Sequence, residues 1–460
     1  MSVPKKPQGS PLSDWYKTAV VYQVYPFSFM DADGDGWGDI PGIISRLDHI
    51  KELGATAIWF SPLYASPDKD YGYDVSDYRA IDPKFGSMAD FDRLLEECHR
   101  RGLRVIMDMV VNHTSTEHPW FKAALSSPDS PYRDYYIIRK GRKKGDKLLP
   151  PTNWTSSFTG SAWARIAGSD EFYLHLFCVE QADLNWENPL VRQEIADILD
   201  FWLEKGVDGF RFDVFNMFSK VWPLQDDHER SSFQKGAPFF VDGPRIHEFL
   251  QELNDKVLSR YDSYTVGESY RPSPEDARRY VLPESRELNT IFNFAHLEAD
   301  NLGGLKYFPK PFDLLRFKEG LFGPQREYFG NGWNTLVLEN HDNARSVSRF
   351  GIDTQHYRYE AATMLAAVTF MGFGIPFIYM GEEIGMTNSK FADIDELKDP
   401  VSHFVYDLMH SYGIPKSLAF RFVCYGARDH ARVPMPWDGS EGGGFTTAST
   451  PWQSFYTERR

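Results

Sequence analysis

Arg211 and Asp213 stand two residues apart in GFRFDVFN (209–216), Glu268 closes the apolar run YTVGES (264–269), and His341 and Asp342 follow NTLVLEN (334–340). Asp74 lies in YGYDVSDY, and Asn112 and His113 follow the run RVIMDMVV. One ionised carboxylate can attack an electrophilic carbon while a second carboxyl group gives and retrieves a proton. Three carboxylates meeting at one rim, with two histidines and an arginine, form the inventory of glycoside hydrolysis. Strand alternation places Phe210, Phe212 and Val214 on one side and Arg211 and Asp213 on the other. A buried charge pair is costly unless compensated. At the polar end of a strand the two compensate each other, and the arginine keeps the aspartate ionised, as a nucleophile must be. An isolated Arg-x-Asp reads first as a structural ion pair; the company of Glu268 and Asp342 reverses that in favour of catalysis.

Those side chains need strands that end together. In PGIISRLDHIKELGATAIWFSP, apolar residues recur at helical spacing, Gly54 closes the helix, and an apolar run follows at 57–60. The same order returns around Gly102 and Gly206. With further apolar runs at 19–29, 264–269, 292–296, 334–340 and 375–383, about eight strands are expected, the count of a (β/α)8 barrel. A doubly wound open sheet is the alternative, weakened because no GxGxxG follows the first strand. Residues 113–185, rich in Ser, Pro, Tyr and Lys and without helical cadence, are too long for a structureless loop and predict a small folded insertion. The expected organisation is a catalytic barrel over 1–112 and 186–460 with an inserted subdomain over 113–185.

The 460-residue chain is 42% hydrophobic, enough for a large core. Its formal charge of −15 disfavours nucleic acid or an anionic membrane as partner. No run of about 18 apolar residues predicts a membrane span, and no signal-like apolar segment opens the chain, so a cytoplasmic protein is expected. Cys98, Cys178 and Cys424 are too scattered for a disulfide framework or a zinc site and are expected as buried thiols. DADGDGWGD (31–39) sets Asp31, Asp33, Asp35 and Asp39 around glycines, as a loop on a hard cation requires. The twelfth position is Gly42 rather than glutamate, which rejects an EF-hand. An acidic turn without an ion is the alternative.

The segments DMVVNH, GFRFDV, VGES, ENHDN, QADLNWENP and GEEIGMTN, spread between Trp15 and Trp452, resemble the α-amylase superfamily of glycoside hydrolases (family 13), in its oligo-1,6-glucosidase and α-glucosidase branch. The resemblance implies a TIM barrel and a retaining mechanism. Asp213 would be the nucleophile, Glu268 the acid/base and Asp342 the carboxylate that supports the transition state. His113, His341 and Arg211 would bind the glucosyl unit, with Tyr73 a platform beneath the ring. Asp74, paired with Arg432, would hold the terminal glucose and make the enzyme exo-acting. The acidic loop would hold a structural Ca²⁺, with the carbonyl of Trp37 as a further ligand.

In this branch a valine at position 214 goes with α-1,6 cleavage and a threonine with α-1,4 specificity; Val214 cannot hydrogen-bond the leaving sugar. The partner expected is a small oligosaccharide, and the protein a monomer or weak homo-oligomer. A transglycosylase or sucrose isomerase, and a trehalose-6-phosphate hydrolase, are alternatives on the same scaffold. The cluster Arg139, Lys140, Arg142, Lys143, Lys144 and Lys147 could serve a phosphate or be a solvated basic loop. The family pattern continues into a last barrel helix and a β-sandwich, so a truncated, inactive homologue or a non-catalytic binding subunit is also weighed.

Overall fold

The computed structural model describes residues 13–158, 160–229, 234–303 and 305–457. Eight parallel strands form its main sheet: β1 (Val21–Val24), β2 (Ala57–Phe60), β3 (Arg104–Met109), β4 (Gly209–Phe212), β5 (Tyr264–Glu268), β6 (Thr290–Phe292), β7 (Thr335–Val337) and β8 (Ile375–Tyr379). Their order is β6-β5-β4-β3-β2-β1-β8-β7. Each neighbour differs by one step and β1 lies beside β8, a cyclic order with no topological switch. That order is the order of a (β/α)8 barrel and excludes the doubly wound sheet.

Helices follow the strands in turn, among them Met88–Arg100 after β2, Pro189–Lys205 after β3 and Arg358–Phe370 after β7. Local signals explain their ends. Ser87 and Asp90 form a capping box at the start of Met88–Arg100. Pro189–Lys205 starts on the Asn188 side chain and stops at Gly206, whose φ of +117° lies in the left-handed region. The helix that Ile43, Ile44, Leu47, Ile50 and Leu53 predict is broken into Ile40–Ser45 and Leu47–Glu52 at Arg46, which leaves helical geometry, and its guanidinium lies 4.6 Å from the Trp437 ring. The run expected as a strand at 292–296 is instead the end of β6 followed by a 3-10 turn, Ala295–Glu298.

Two compact units emerge. The first comprises 64–80 and 108–291 with Ser13; the second comprises 14–63, 81–107 and 292–460. In the first, β4 and β5 pair in register from Gly209↔Tyr264 to Phe212↔Gly267. The stretch 113–185 carries a three-stranded antiparallel sheet, Trp163–Arg165, Glu171–Leu174 and Ile138–Lys140. It also holds a helix the cadence did not reveal, Pro119–Ser126, started by His118 and by proline at its first position. Its Trp154, Trp163 and Phe172 share one core cluster with Met217 and Phe240, which lie beyond the stretch in the same unit. In the second unit, β1 pairs with β2 and β8, and β7 with β8. Cys98 is buried, but Cys178 and Cys424 are only half-buried, which corrects the expectation for those two. Among the described residues, no helix is long and apolar enough to cross a membrane.

Candidate active site

In the first unit the acids gather on one cation. Phe210, Arg211 and Phe212 are all buried, and β4 ends at Phe212. Asp213 keeps the strand edge, its N–H donating to the Met109 carbonyl at 3.1 Å. Val214 then departs from strand alternation: its φ of +36° is in the left-handed region, rare for a β-branched residue. Its side chain packs on the apolar cluster of Trp154 and Met217 instead of continuing the Phe210–Phe212 face.

The Arg211 guanidinium, 2% exposed, donates from one nitrogen to Asp108 and Asp213, both at 2.7 Å, and from another to Glu268 at 2.5 Å. Burial works against its charge, but Asp108, Glu268 and Asp213 outweigh that and hold it well above the usual arginine range. Burial pushes Asp108 the other way, up to about 6, against the pull of Arg211. One buried cation thus faces three carboxyl groups, and a site proton has a place to rest.

Tyr73 and His113 complete this side. The Tyr73 hydroxyl donates to Asp108 at 3.1 Å, and Arg211 lies 5.8 Å from its ring centroid. His113 Nε2 lies 3.0 Å from the Tyr73 carbonyl, and burial lowers the imidazole to about 4, so it is neutral at pH 7. Asp74 is fully buried; its carboxylate accepts from the Lys69 and Asp70 N–H groups and from the Ser66 hydroxyl, each at 3.0 Å. Burial nevertheless raises it to about 6.

The second unit presents the reverse charge balance. Asp342 Oδ1 accepts from Arg428 at 3.1 Å and from Arg432 at 3.0 Å, and its other oxygen is 3.3 Å from His341 Nε2. Burial alone would raise this carboxyl; His341, Arg428 and Arg432 hold it far below the usual range. The Gln23 amide lies 2.9 Å from His341 Nδ1, and Tyr25 stacks on the imidazole at 6.0 Å. Arg432 also donates to the His341 carbonyl at 2.9 Å, and Arg428 is bidentate on buried Asp399. Of the two residues expected to hold the terminal glucose, Arg432 bonds the His341–Asp342 turn and Asp74 is held by its own loop. Arg428, four positions earlier, shares the work on Asp342.

In the acidic loop, ligand oxygens of Asp31, Asp33 and Asp39 lie within 4.8 Å of one another. A hard cation with oxygens at about 2.3–2.6 Å fits such a set. Asp35 stands outside that group and accepts from the Trp37 N–H at 2.8 Å. Asp39 also caps Ile40–Ser45 through Gly42 N–H, and Asp31 accepts from the Gly34 and Gly36 N–H groups.

The sequence reading did not single out Asp108, although DMVVNH contains it. Alternation from Ile106 would have put Asp108 on one face of β3, but only the neighbouring strand reveals that Arg211 meets it. Asp399 carried no signal, since nothing in KDPVSH marks it as the partner of Arg428.

The whole chain has known relatives. Residues 23–458 match the alpha amylase catalytic domain. Oligo-1,6-glucosidase of Parageobacillus thermoglucosidasius is 51% identical over 441 residues, 95% of this chain and 77% of that protein. The crystal structure of Bacillus licheniformis trehalose-6-phosphate hydrolase superposes with a TM-score of 0.90 at 49% identity, over 97% of this chain and 79% of that one. Isomaltulose synthase from Erwinia rhapontici NX5 gives a TM-score of 0.92 at 40% identity, with the same coverage of 97% and 79%. Strand order, the acids at the strand ends and identity across nearly the entire length agree, and the chain belongs to the alpha-amylase family of glycoside hydrolases.

Proposed function

We propose that the protein is a retaining, exo-acting α-glucosidase that removes terminal α-1,6-linked glucose from short oligosaccharides. The observation that carries the reading is the shared guanidinium of Arg211. A single planar group bonded to both Asp213 and Glu268 keeps their carboxylates close. Double displacement uses carboxyl groups about 5–5.5 Å apart, whereas inversion needs roughly 6.5–9.5 Å to admit a water between them.

Asp213 attacks the anomeric carbon as Glu268 protonates the departing glycosidic oxygen. The bond to the leaving sugar breaks and a glucosyl ester forms on Asp213. Glu268, now a carboxylate, takes a proton from water, which displaces the ester and restores both groups. Asp342, kept anionic by Arg428 and Arg432, supports positive charge developing on the ring. Tyr73, His113 and His341 hold the glucosyl unit, and Asp74 and Arg432 serve its terminal end from their separate loops. Val214 supplies an apolar wall beside the leaving sugar, which favours α-1,6 linkages. Asp31, Asp33 and Asp39 would hold Ca²⁺; such an ion neutralises the loop's charge and braces the segment after β1.

The 49% identity to a trehalose-6-phosphate hydrolase supports a second reading, in which the substrate is a phosphorylated disaccharide. Incubation with isomaltose, panose, maltose, sucrose and trehalose 6-phosphate separates the two. Glucose released fastest from isomaltose, first as the α-anomer by proton NMR, is the expected result, and Asp213→Asn abolishes it. Preference for the phosphorylated sugar, β-anomer release, or ordinary activity in Asp213→Asn would each defeat the first reading.

A further inference from the structure

We infer that Asn216 is a positioning residue that fixes the separation of Asp213 and Glu268, an inference that rests on the roles proposed for those two acids. Backbone pairing between β4 and β5 ends at Phe212↔Gly267, just before both carboxylates. Val214 then turns the chain out of the strand. Beyond that point a side chain takes over the pairing.

Asn216 is fully buried. Its Nδ2 donates to the Tyr270 carbonyl at 3.0 Å, and its Oδ1 accepts from the Tyr270 N–H at 2.9 Å. Both bonds go to one residue, the exchange otherwise seen in an antiparallel residue pair, supplied here by a carboxamide three residues past Asp213 to a backbone two residues past Glu268. The amide cannot turn over. Its second Nδ2 hydrogen goes to Asp242 Oδ1 at 3.0 Å, and that oxygen also accepts from the Tyr280 hydroxyl at 2.7 Å. Asp242 in turn donates its N–H to the Asn216 carbonyl at 2.8 Å from a left-handed backbone, φ +48°.

Packing closes the same joint. Phe215 meets the Tyr280 ring edge-on at 4.7 Å, and a Cβ on Gly267 would fall 2.4 Å from the Phe215 ring. Glycine is therefore needed where the nucleophile turn lies against β5. Arg211 ties the tips of the two acids electrostatically; Asn216 ties the chains beneath them mechanically.

A displaced acid matters most when the leaving group needs its proton. A sugar hydroxyl leaving from isomaltose needs it, whereas 4-nitrophenolate departs as an anion. The test measures kcat and KM on isomaltose and on 4-nitrophenyl α-glucoside for the wild type, Asn216→Ala and Tyr280→Phe. Asn216→Ala is expected to lose about 10- to 100-fold more kcat/KM on isomaltose than on the nitrophenyl substrate, mostly in kcat. Tyr280→Phe, which removes only one bond to Asp242, is expected to shift the ratio the same way by less. The ratio does not depend on the fraction of enzyme that folds. Equal losses on both substrates, or an unchanged Asn216→Ala enzyme, overturn the inference alone. A wild type inactive on both substrates overturns the glucosidase reading beneath it, a distinguishable result.

Discussion

The clusters around Arg211 and around Asp342 are built from the same residue types in opposite proportion. At Arg211 one guanidinium serves Asp108, Asp213 and Glu268. At Asp342 two guanidiniums, Arg428 and Arg432, converge on one carboxylate. Where acids outnumber the cation, burial pushes a carboxyl up and a proton can be held and passed on. Where two guanidiniums bond one carboxylate, even with Arg428 shared with Asp399, that carboxylate is locked in its charged form. The first arrangement suits groups that must exchange a proton and form a bond; the second suits one that must stay negative throughout.

Breaking the first cluster has the largest expected effect. Arg211→Met leaves two buried carboxyl groups and a half-buried one without their cation. It should cost about 3–5 kcal/mol of stability, read by urea unfolding, and reduce kcat/KM on any α-glucoside by at least about 10³-fold. A variant with wild-type stability would mean that the acids were never crowded. In the second cluster, Arg432→Gln removes one of two cations, and turnover should fall by about 10- to 100-fold. The acid limb of the pH–rate profile should also move to higher pH, because Asp342 then protonates more easily.

The pH dependence of stability sharpens the contrast through its sign. The Asp108 carboxyl is raised to about 6 in the folded state from an ordinary 3.8, so the fold binds its proton more tightly than the unfolded chain does. Its contribution is fully present below about pH 3.8 and is lost as pH rises through about 6, a change on the order of 3 kcal/mol. Asp342 is lowered instead, so its contribution is present above its ordinary range and persists down to strongly acidic pH. Asp108→Asn should therefore flatten the fall in stability between pH 4 and 7, and Asp342→Asn should not. Matching slopes in the two variants would erase the distinction.

Smaller effects follow. Chelation should lower Tm by a few degrees through loss of an ion bound to the fold, with recovery on adding Ca²⁺. A melting curve indifferent to both would remove the cation from Asp31, Asp33 and Asp39. Val214→Thr should shift the isomaltose-to-maltose ratio of kcat/KM toward maltose by about 10-fold, the scale of one hydroxyl in an apolar pocket.

Much of this architecture was legible in sequence because it rests on short-range rules. Gly54, Gly102 and Gly206 end helices where the periodicity stops, and each has a positive φ. Glu268 closes an apolar run and does end β5. Other features escaped local rules. Arg46, where the helix breaks, lies over Trp437, far along the chain, and the helix after His118 is too short for periodicity to expose. The two arginines on Asp342 escaped them as well, since Arg428 and Arg432 lie more than 80 positions from the carboxylate they bond.

By itself the sequence determined the identities of the acids, their placement after apolar runs, and the alternation of helix and strand that requires a parallel sheet. These are consequences of side-chain period and backbone chemistry within a few residues. Tertiary structure alone decided which carboxyls share a cation, which stand against two, and that Asn216 bonds the Tyr270 backbone beyond the point where its own strand has ended. Each of these depends on a distance between residues as many as 103 positions apart, and electrostatic energy is set by that distance and by burial rather than by order along the chain.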